Sequence, residues 1–324
     1  MVLVVLKILI ILVPLLVSVA YFTIAERKIM GAIQLRRGPN VIGFLGLLQP
    51  LADGAKLFFK EMIISNSSNE QLFLVAPLLA LALSIIIWSV VPFGEGLFLT
   101  NLNLGIVYAF AISALNVYSL LFAGWSSNSK YAYLGAIRAA AQMISYEIAL
   151  GFSALIVVLC VGSYNFSKII LAQKLVWFLL PCFPVFIIFC IAILAETNRH
   201  PFDLPEAESE LVSGYNVEYS SMTFAQFFLG EYANMLFMSF FAAALFLGGW
   251  LFNFLFFFPE PLRLSLKICF GVVYFIFNRA IFPRYRYDQL MNLGWKALLP
   301  LTLGFFLFVC GILVSFNFLP NFFL

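Results

Sequence analysis

The chain has 324 residues, of which 64% are hydrophobic and 18% aromatic, while 10% are charged and the net charge is +3. A soluble domain of this size has no use for so much apolar surface, so the composition excludes a soluble enzyme and indicates a lipid bilayer as the solvent. The net charge is small, no nucleic-acid partner is expected, and the placement of the charges is more informative than their sum.

Eight apolar runs are long enough to cross a bilayer, since about 20 apolar residues in a helix span the hydrocarbon. They predict an all-α integral membrane protein in which residues 1–324 form a single transmembrane domain. An even number of spans places both termini on one side. The predicted spans lie near residues 5–25, 72–92, 104–125, 133–161, 175–195, 220–250, 265–283 and 296–318.

The positive charges lie mostly on one side of the predicted bundle. Thirteen of the 18 Lys and Arg residues lie in, or next to, the loops that follow spans 1, 3, 5 and 7. Because positively charged loops stay on the inner side of a membrane, this face is expected in the cytoplasm or the mitochondrial matrix. A partner is expected to dock on the same face.

The first charged loop contains a segment with helical periodicity, QPLADGAKLFFKEM, at residues 49–62. Its apolar residues recur on one face, and Asp53, Lys56 and Lys60 occupy the other. The pattern predicts an amphipathic helix at the membrane surface or under a partner. Whether this helix binds a ligand or only anchors the loop is left open by the sequence.

The five cysteines occur singly in apolar runs. None has the spacing of a zinc or iron–sulfur site, so no metal site and no bound cofactor are expected in this chain. They are Cys160, Cys182, Cys190, Cys269 and Cys310.

Two carboxylates, Glu147 and Glu231, lie inside predicted spans rather than at their ends. Both spans start on the charged side, and each acid lies about 15–20 Å along its helix from that face. Ionisable residues in hydrocarbon usually face a cavity or a partner, so a proton relay is favoured over a carboxyl that only bonds a neighbouring helix.

Six of the fifteen acids fall between Glu196 and Glu218. Asp203 fits the N-cap of a short acidic-loop helix at about residues 204–212, followed by Gly214. Acids in its first turn complement the helix dipole, but the others indicate an acidic path towards Glu231 and Glu147.

His200 is the single histidine and lies three residues before Asp203. Without a second histidine, a metal site is not expected. The favoured interpretation is a loop histidine paired with an acid, and the alternative is a titrating proton donor.

Four long segments resemble a known family: residues 25–61, which begin AERKIMGAIQLRRGPN, 124–151, which contain IRAAAQMISYEIALG, 195–235, which begin AETNRHPFDLPEAESEL, and 282–296, FPRYRYDQLMNLGWK. They closely resemble subunit 1 of the proton-pumping NADH:ubiquinone oxidoreductase, respiratory complex I, in its mitochondrially encoded form. The similarity extends over nearly the whole chain.

The resemblance implies site residues in three groups and no catalytic residue. Implied at the quinone site are Glu26, Arg27, Arg36, Asp53, Lys56, Arg199, Asp203 and Phe228. Implied in a proton relay are Glu147, Glu196, Asp203, Glu206, Glu208, Glu210 and Glu231. Implied as anchors of the loop between spans 7 and 8 are Arg279, Arg284 and Arg286. His200 departs from the family pattern and is given no role.

The resemblance also implies a subunit of the proton-translocating NADH:ubiquinone reductase with no complete active site of its own. Ubiquinone would be the substrate, and NADH, FMN and the iron–sulfur clusters would be bound by partner subunits. The implied partners are the hydrophilic-arm subunits at the quinone site, small membrane-arm subunits and the lipid bilayer. The implied location is the mitochondrial inner membrane, with the charged loops facing the matrix.

Two alternatives remain open at this point. The acidic loop alone is compatible with the membrane anchor of a related energy-converting hydrogenase. Intramembrane acids also occur in independent ion transporters, although these normally show internal repeats and broken spans, and the sequence has no convincing repeat.

Overall fold

The computed structural model describes residues 2–204, 214–251 and 258–317. Within these ranges the secondary structure is helical, apart from one isolated bridge between Gly94 and Leu97. The described α-helices are α1 Val2–Ile33, α2 Gln49–Phe59, α3 Glu70–Ile86, α4 Gly105–Ser126, α5 Lys130–Val161, α6 Phe166–Ala172, α7 Phe183–Glu196, α8 Ser221–Phe246, α9 Glu260–Ile281, α10 Tyr287–Asn292 and α11 Leu299–Ser315.

Seven helical segments in the described ranges are long and apolar enough to cross a membrane. They comprise α1, α3 with its continuation to Val90, α4, α5, α8, α9 and the continuous segment Tyr287–Ser315. The predicted all-α integral membrane class is therefore confirmed.

The predicted span at 175–195 is shorter in the structure. Helix α7 begins at Phe183 and has 14 residues, with Pro184 in its first turn. A proline suits a first turn but cannot continue a helix from the preceding residues, and residues 174–182 form turns instead. A helix of this length extends about 21 Å, less than the roughly 30 Å of bilayer hydrocarbon.

The last span differs in the opposite direction. The sequence predicts it from residue 296, but the helical segment starts at Tyr287 and continues through a π-helical stretch, Leu293–Leu298. The polar residues Asp288, Gln289 and Asn292 resemble a loop in sequence, and they instead form α10.

Helices α5 and α8 organise the packing. Helix α8 packs mainly against α3 and α9 and also touches α1, α2, α6 and α7, while α5 packs against α4, α7 and α11. A side-chain cap from Ser129 starts α5, and Gly162 ends it in the left-handed conformation. The C-terminal ends of α1 and α7 thereby meet the N-terminal half of α8 near the charged loops.

The predicted amphipathic helix is present as α2. Ser221 Oγ lies 3.0 Å from the carbonyl oxygen of Leu57 and 2.6 Å from that of Lys60, so it caps the last turn of α2. This cap fixes α2 beside the start of α8. Phe58 and Phe59 are exposed, so the apolar face of α2 is open in the isolated chain.

Small residues allow α4 and α5 to approach closely. A Cβ atom at Gly124 would lie 2.3 Å from Cβ of Ala136 and 2.9 Å from the carbonyl oxygen of Ala132. Neighbouring membrane helices use such small residues to bring their backbones together.

We therefore expect Gly124→Ala to destabilise the protein by about 1–3 kcal/mol, because the added methyl group overpacks this contact. The measurement is the thermal midpoint of the purified protein in detergent. Gly151→Ala is the matched control, since a Cβ at Gly151 meets no atom within 4 Å. Equal midpoints for the two variants would contradict the close approach.

Candidate functional site

The structure places a buried carboxylate, Glu26, at the centre of a polar cluster between α1, α8, α9 and the loop after α7. Glu26 is 5% exposed. It accepts hydrogen bonds from the Tyr232 hydroxyl and from the Arg279 guanidinium. Arg199 Nη1 lies 3.5 Å from Glu26 Oε1. A carboxylate is tolerated in such a site because opposite charges and donors replace its water.

Arg199 joins this carboxylate to a second one. Its Nε atom lies 2.8 Å from Oε1 of Glu231, and its guanidinium lies 4.7 Å from the ring centroid of Tyr232. Arg199 is itself only 7% exposed. We call Glu26, Arg199, Glu231, Tyr232 and Arg279 the arginine–carboxylate cluster. It contains two acids and two arginines, so its charges balance when both acids are ionised.

The loop that carries Arg199 is fastened to the segment after α9. Asp203 Oδ2 lies 3.1 Å from Arg284 Nη2 and 3.1 Å from His200 Nε2. The Phe202 ring stacks on Tyr285 at a centroid distance of 5.6 Å. The backbone N–H of Tyr285 also donates to the carbonyl oxygen of Pro201 at 3.1 Å. These contacts restrict where Arg199 can reach.

Two small cavities continue from the cluster into the bundle. The first, of about 40 Å³, is lined by Glu231, Glu196 and the side chains of Asn116 and Asn234 among others. The second, of about 20 Å³, shares Glu196 and both asparagines and adds Ser113. A cavity needs roughly 10–15 Å³ to hold a water molecule, so both have room for water.

Glu147 lies at the far end of this series. The Glu147 carboxyl lies near the Ser113 hydroxyl, which itself donates to the carbonyl oxygen of Phe110 at 2.9 Å. Glu147 also lies close enough to Glu196 for the two carboxyls to interact electrostatically. Glu231 and Glu196 thus line one cavity together, and Glu147 follows within electrostatic range of Glu196. Polar side chains and space for water in this order can conduct protons.

Comparison with known proteins identifies the family. A family model described as NADH dehydrogenase matches residues 6–310. The chain is 57% identical to NADH-ubiquinone oxidoreductase chain 1 of Chondrus crispus, covering 97% of this chain and 98% of that one. It is 55% identical to the protein of the same name from Arabidopsis thaliana, with 96% and 97% covered. It is 56% identical to an NADH-quinone oxidoreductase subunit of the bacterium Paramagnetospirillum magneticum, with 98% and 94% covered.

The chain belongs to the NADH dehydrogenase family. The resemblance stated from the four sequence segments is confirmed, and so is the predicted enzyme class, a subunit of an oxidoreductase. Together with its apolar helices, this makes the chain a multi-pass membrane protein of that family.

Not all the residues implied at the quinone site lie in the cluster. In this NADH dehydrogenase family member, Arg27 pairs with Asp53 of α2 at 2.8 Å on the exposed surface. Lys56 is exposed on α2, and Arg36 donates to the Gln34 side chain at 2.8 Å. Phe228 lies one turn before Tyr232 in α8, with its ring 4.5 Å from that of Phe224.

The three implied anchors have different surroundings. Arg279 belongs to the cluster, and Arg284 holds Asp203. Arg286 pairs instead with Asp288, and both side chains are exposed, at 77% and 65%. Glu206, Glu208, Glu210 and residues 205–212 of the predicted helix at 204–212 lie outside the described residues.

Several site residues were not predicted from the sequence. Tyr232 directly follows Glu231 in α8, and its ring packs edge-on against Phe22 at 5.0 Å, which aims its hydroxyl at Glu26. A tyrosine in an aromatic-rich span gives no sequence signal of this contact. Asn116 and Asn234 are polar residues inside predicted spans. Their polarity at these positions could have indicated that they line a cavity.

We expect Arg199→Met to destabilise the protein by about 3–5 kcal/mol, because it leaves the buried Glu26 and the partly buried Glu231 with reduced compensation. Adding Glu231→Gln to Arg199→Met should recover part of that loss, which a double-mutant cycle in thermal unfolding measures.

The matched control is the exposed pair of Arg286 and Asp288. Arg286→Met should cost no more than about 1 kcal/mol, because exposed ion pairs contribute little. Additive effects of Arg199→Met and Glu231→Gln would contradict an energetically coupled cluster.

Proposed function

We propose that the chain is a core membrane-arm subunit of a proton-pumping NADH–quinone oxidoreductase, in which it helps to form the quinone chamber and couples quinone reduction to proton movement. The observation that carries this proposal is the arrangement of the cluster. Arg199 contacts Glu26 on one side and Glu231 on the other, and Glu231 lines the first of the two cavities.

The chemistry of quinone reduction matches such a site. Reduction of a quinone to the quinol consumes protons as well as electrons, so an anionic intermediate forms unless protons arrive in step. The guanidinium groups of Arg199 and Arg279 can attract that negative charge. The quinone would approach over the charged face, past Arg27 of α1 and Asp53 of α2.

The coupling step follows from competition for the arginines. When Arg199 turns part of its charge to the reduced quinone, Glu231 loses stabilisation of its ionised form and takes up a proton. The proton affinity of Glu196 and Glu147 then changes through the intervening cavities. Proton movement along these acids delivers the signal towards neighbouring pump subunits.

The redox groups belong to partners in this proposal. NADH, FMN and the iron–sulfur clusters would be bound by hydrophilic-arm subunits, and ubiquinone would be the substrate shared with them. The relatives named NADH-ubiquinone and NADH-quinone oxidoreductase favour this assignment over a hydrogenase anchor or an independent ion transporter. Small membrane-arm subunits and lipid would surround the exposed helices.

The mitochondrial inner membrane is the proposed location, with the charged loops in the matrix. The bias of Lys and Arg towards one face supports the orientation. The relatives from the eukaryotes Chondrus crispus and Arabidopsis thaliana are named NADH-ubiquinone oxidoreductase chain 1, which agrees with a mitochondrial location. The bacterial relative is almost equally similar, and there the corresponding face would be the cytoplasmic one.

We expect Glu231→Gln and Glu147→Gln each to lower proton-coupled quinone reduction by roughly tenfold or more, because a glutamine cannot exchange a proton. Electron transfer from NADH to a water-soluble acceptor should persist, since it bypasses the quinone. Both activities are measured in the assembled complex.

The matched control is Glu70→Gln, which changes an exposed glutamate at the start of α3 and should leave both activities unchanged. Full coupled activity in both the Glu231 and Glu147 variants would refute the relay.

For the approach path, we expect Arg27→Ala to raise the KM for quinone several-fold and to change inhibitor sensitivity, with little loss of complex abundance. The reason is that Arg27 and Asp53 form an exposed pair, which contributes little to stability. Arg286→Ala, in the other exposed pair, is the control. A normal KM with reduced abundance would assign Arg27 to assembly instead.

A further inference from the structure

One buried side chain holds both ends of the segment that carries Arg199. Gln142 of α5 is fully buried, at 0% exposure. Its Nε2 donates to the carbonyl oxygen of Ala195 at 2.8 Å and to that of Phe202 at 2.9 Å. An amide NH₂ group has two protons, so both bonds can form at once.

The two acceptors enclose residues 196–201. Ala195 lies in the last turn of α7, where its carbonyl oxygen also accepts from the backbone N–H of Asn198 at 3.3 Å, and Phe202 lies in the loop. Between them lie Glu196, which lines both cavities, and Arg199, which contacts Glu26 and Glu231. A single amide therefore fixes the two ends of the segment on which the cluster and the cavities meet.

The hydrogen bonds of Gln142 indicate that its NH₂ group, and not its side-chain oxygen, is the part that matters at this position. Within the part of the chain that the structure describes, Oε1 of Gln142 is buried without a hydrogen-bond partner. An unpaired buried acceptor costs about 1–3 kcal/mol, which a leucine of similar size would avoid. Glutamine at this position is therefore explained by the two bonds that its nitrogen donates.

We propose that Gln142 is a positioning residue for quinone reduction. It holds residues 196–201 in the one arrangement that presents Arg199 to both carboxylates and Glu196 to the cavities. The neighbouring turn of α5 assists, since Tyr146 packs against Phe202 at 5.6 Å and its hydroxyl donates to the carbonyl oxygen of Leu290 at 2.9 Å. The inference rests on the proposed function, because it assigns the positioning to the quinone chamber.

The chain contains a matched control for this role. Gln173 is also buried, at 1% exposure, and its Nε2 also lies near two carbonyl oxygens, at 2.9 Å from Ala244 and 3.4 Å from Ile169. It joins the turn after α6 to the C-terminal part of α8, and its Oε1 accepts from the backbone N–H of Phe178 at 3.4 Å. Within the part of the chain that the structure describes, its hydrogen bonds stay outside the cluster. Replacing Gln173 therefore measures how the loss of a buried glutamine's hydrogen bonds affects the protein when the cluster is not involved.

The experiment compares Gln142→Leu with Gln173→Leu in the assembled complex. We expect Gln142→Leu to raise the KM for a short-chain quinone by roughly fivefold or more with a smaller change in kcat, because Arg199 is displaced before the chemistry begins. Gln173→Leu should leave KM unchanged. NADH oxidation by a water-soluble acceptor should be normal in both. Equal KM values in the two variants would overturn the proposal.

A second substitution covers the case in which Gln142→Leu does not assemble. Gln142→Glu nearly keeps the shape of the side chain. A neutral glutamic acid can donate one hydrogen bond to the two carbonyl groups of Ala195 and Phe202, and an ionised glutamate can donate none. We expect its quinone KM to rise with pH more steeply than in the wild type or in Gln173→Glu. An unaltered pH profile would overturn the proposal as well.

Arg199→Lys separates failure of this inference from failure of the proposed function. If Arg199→Lys leaves quinone kinetics unchanged, the cluster is not part of the quinone chamber and the proposed function fails. If Arg199→Lys raises the KM while Gln142→Leu does not, the chamber stands and the positioning role of Gln142 is refuted.

Discussion

The pairing of Arg199 with Glu26 and Glu231 is the constraint on which the rest of the structure depends. Two ionised carboxylates cannot remain buried between membrane helices unless positive charge and hydrogen-bond donors replace water around them. Arg199 supplies that charge from a loop, and Arg279 supplies it from α9. Helices α1, α8 and α9 must therefore converge with the loop after α7, which fixes the architecture at the charged end of the bundle.

The same pairing makes the site responsive. A cluster whose charges balance is sensitive to any new anion nearby, because that anion competes for the guanidinium groups. A change of charge at the cluster can affect the first cavity without a large conformational change, because Glu231 belongs to the cluster and also lines that cavity. Glu196 lines both cavities, and Glu147 lies within electrostatic range of Glu196. The fold thus connects a charged surface to the middle of the bundle through short polar steps.

The sequence predicted the class of fold and much of the chemistry, because hydrophobic runs and isolated acids are local signals. Glu147 and Glu231 were recognisable by their depth in apolar spans. Which helices are neighbours is a long-range property, so the meeting of Glu26 with Tyr232 could not be predicted by spacing. The predicted span at 175–195 was too long, because Pro184 in the first turn of α7 marks a helix start that hydropathy alone does not detect. Gln142 was invisible as a site residue because a lone amide in a span gives no indication of its acceptors.

The most direct measurement is the infrared difference spectrum of the assembled complex on quinone reduction, which detects carboxyl groups that gain a proton. If Arg199 links quinone charge to the buried acids, reduction produces a protonated-carboxyl band that is lost in Glu231→Gln and retained in Glu70→Gln. A band that is unchanged in Glu231→Gln would contradict the link between quinone chemistry and this acid.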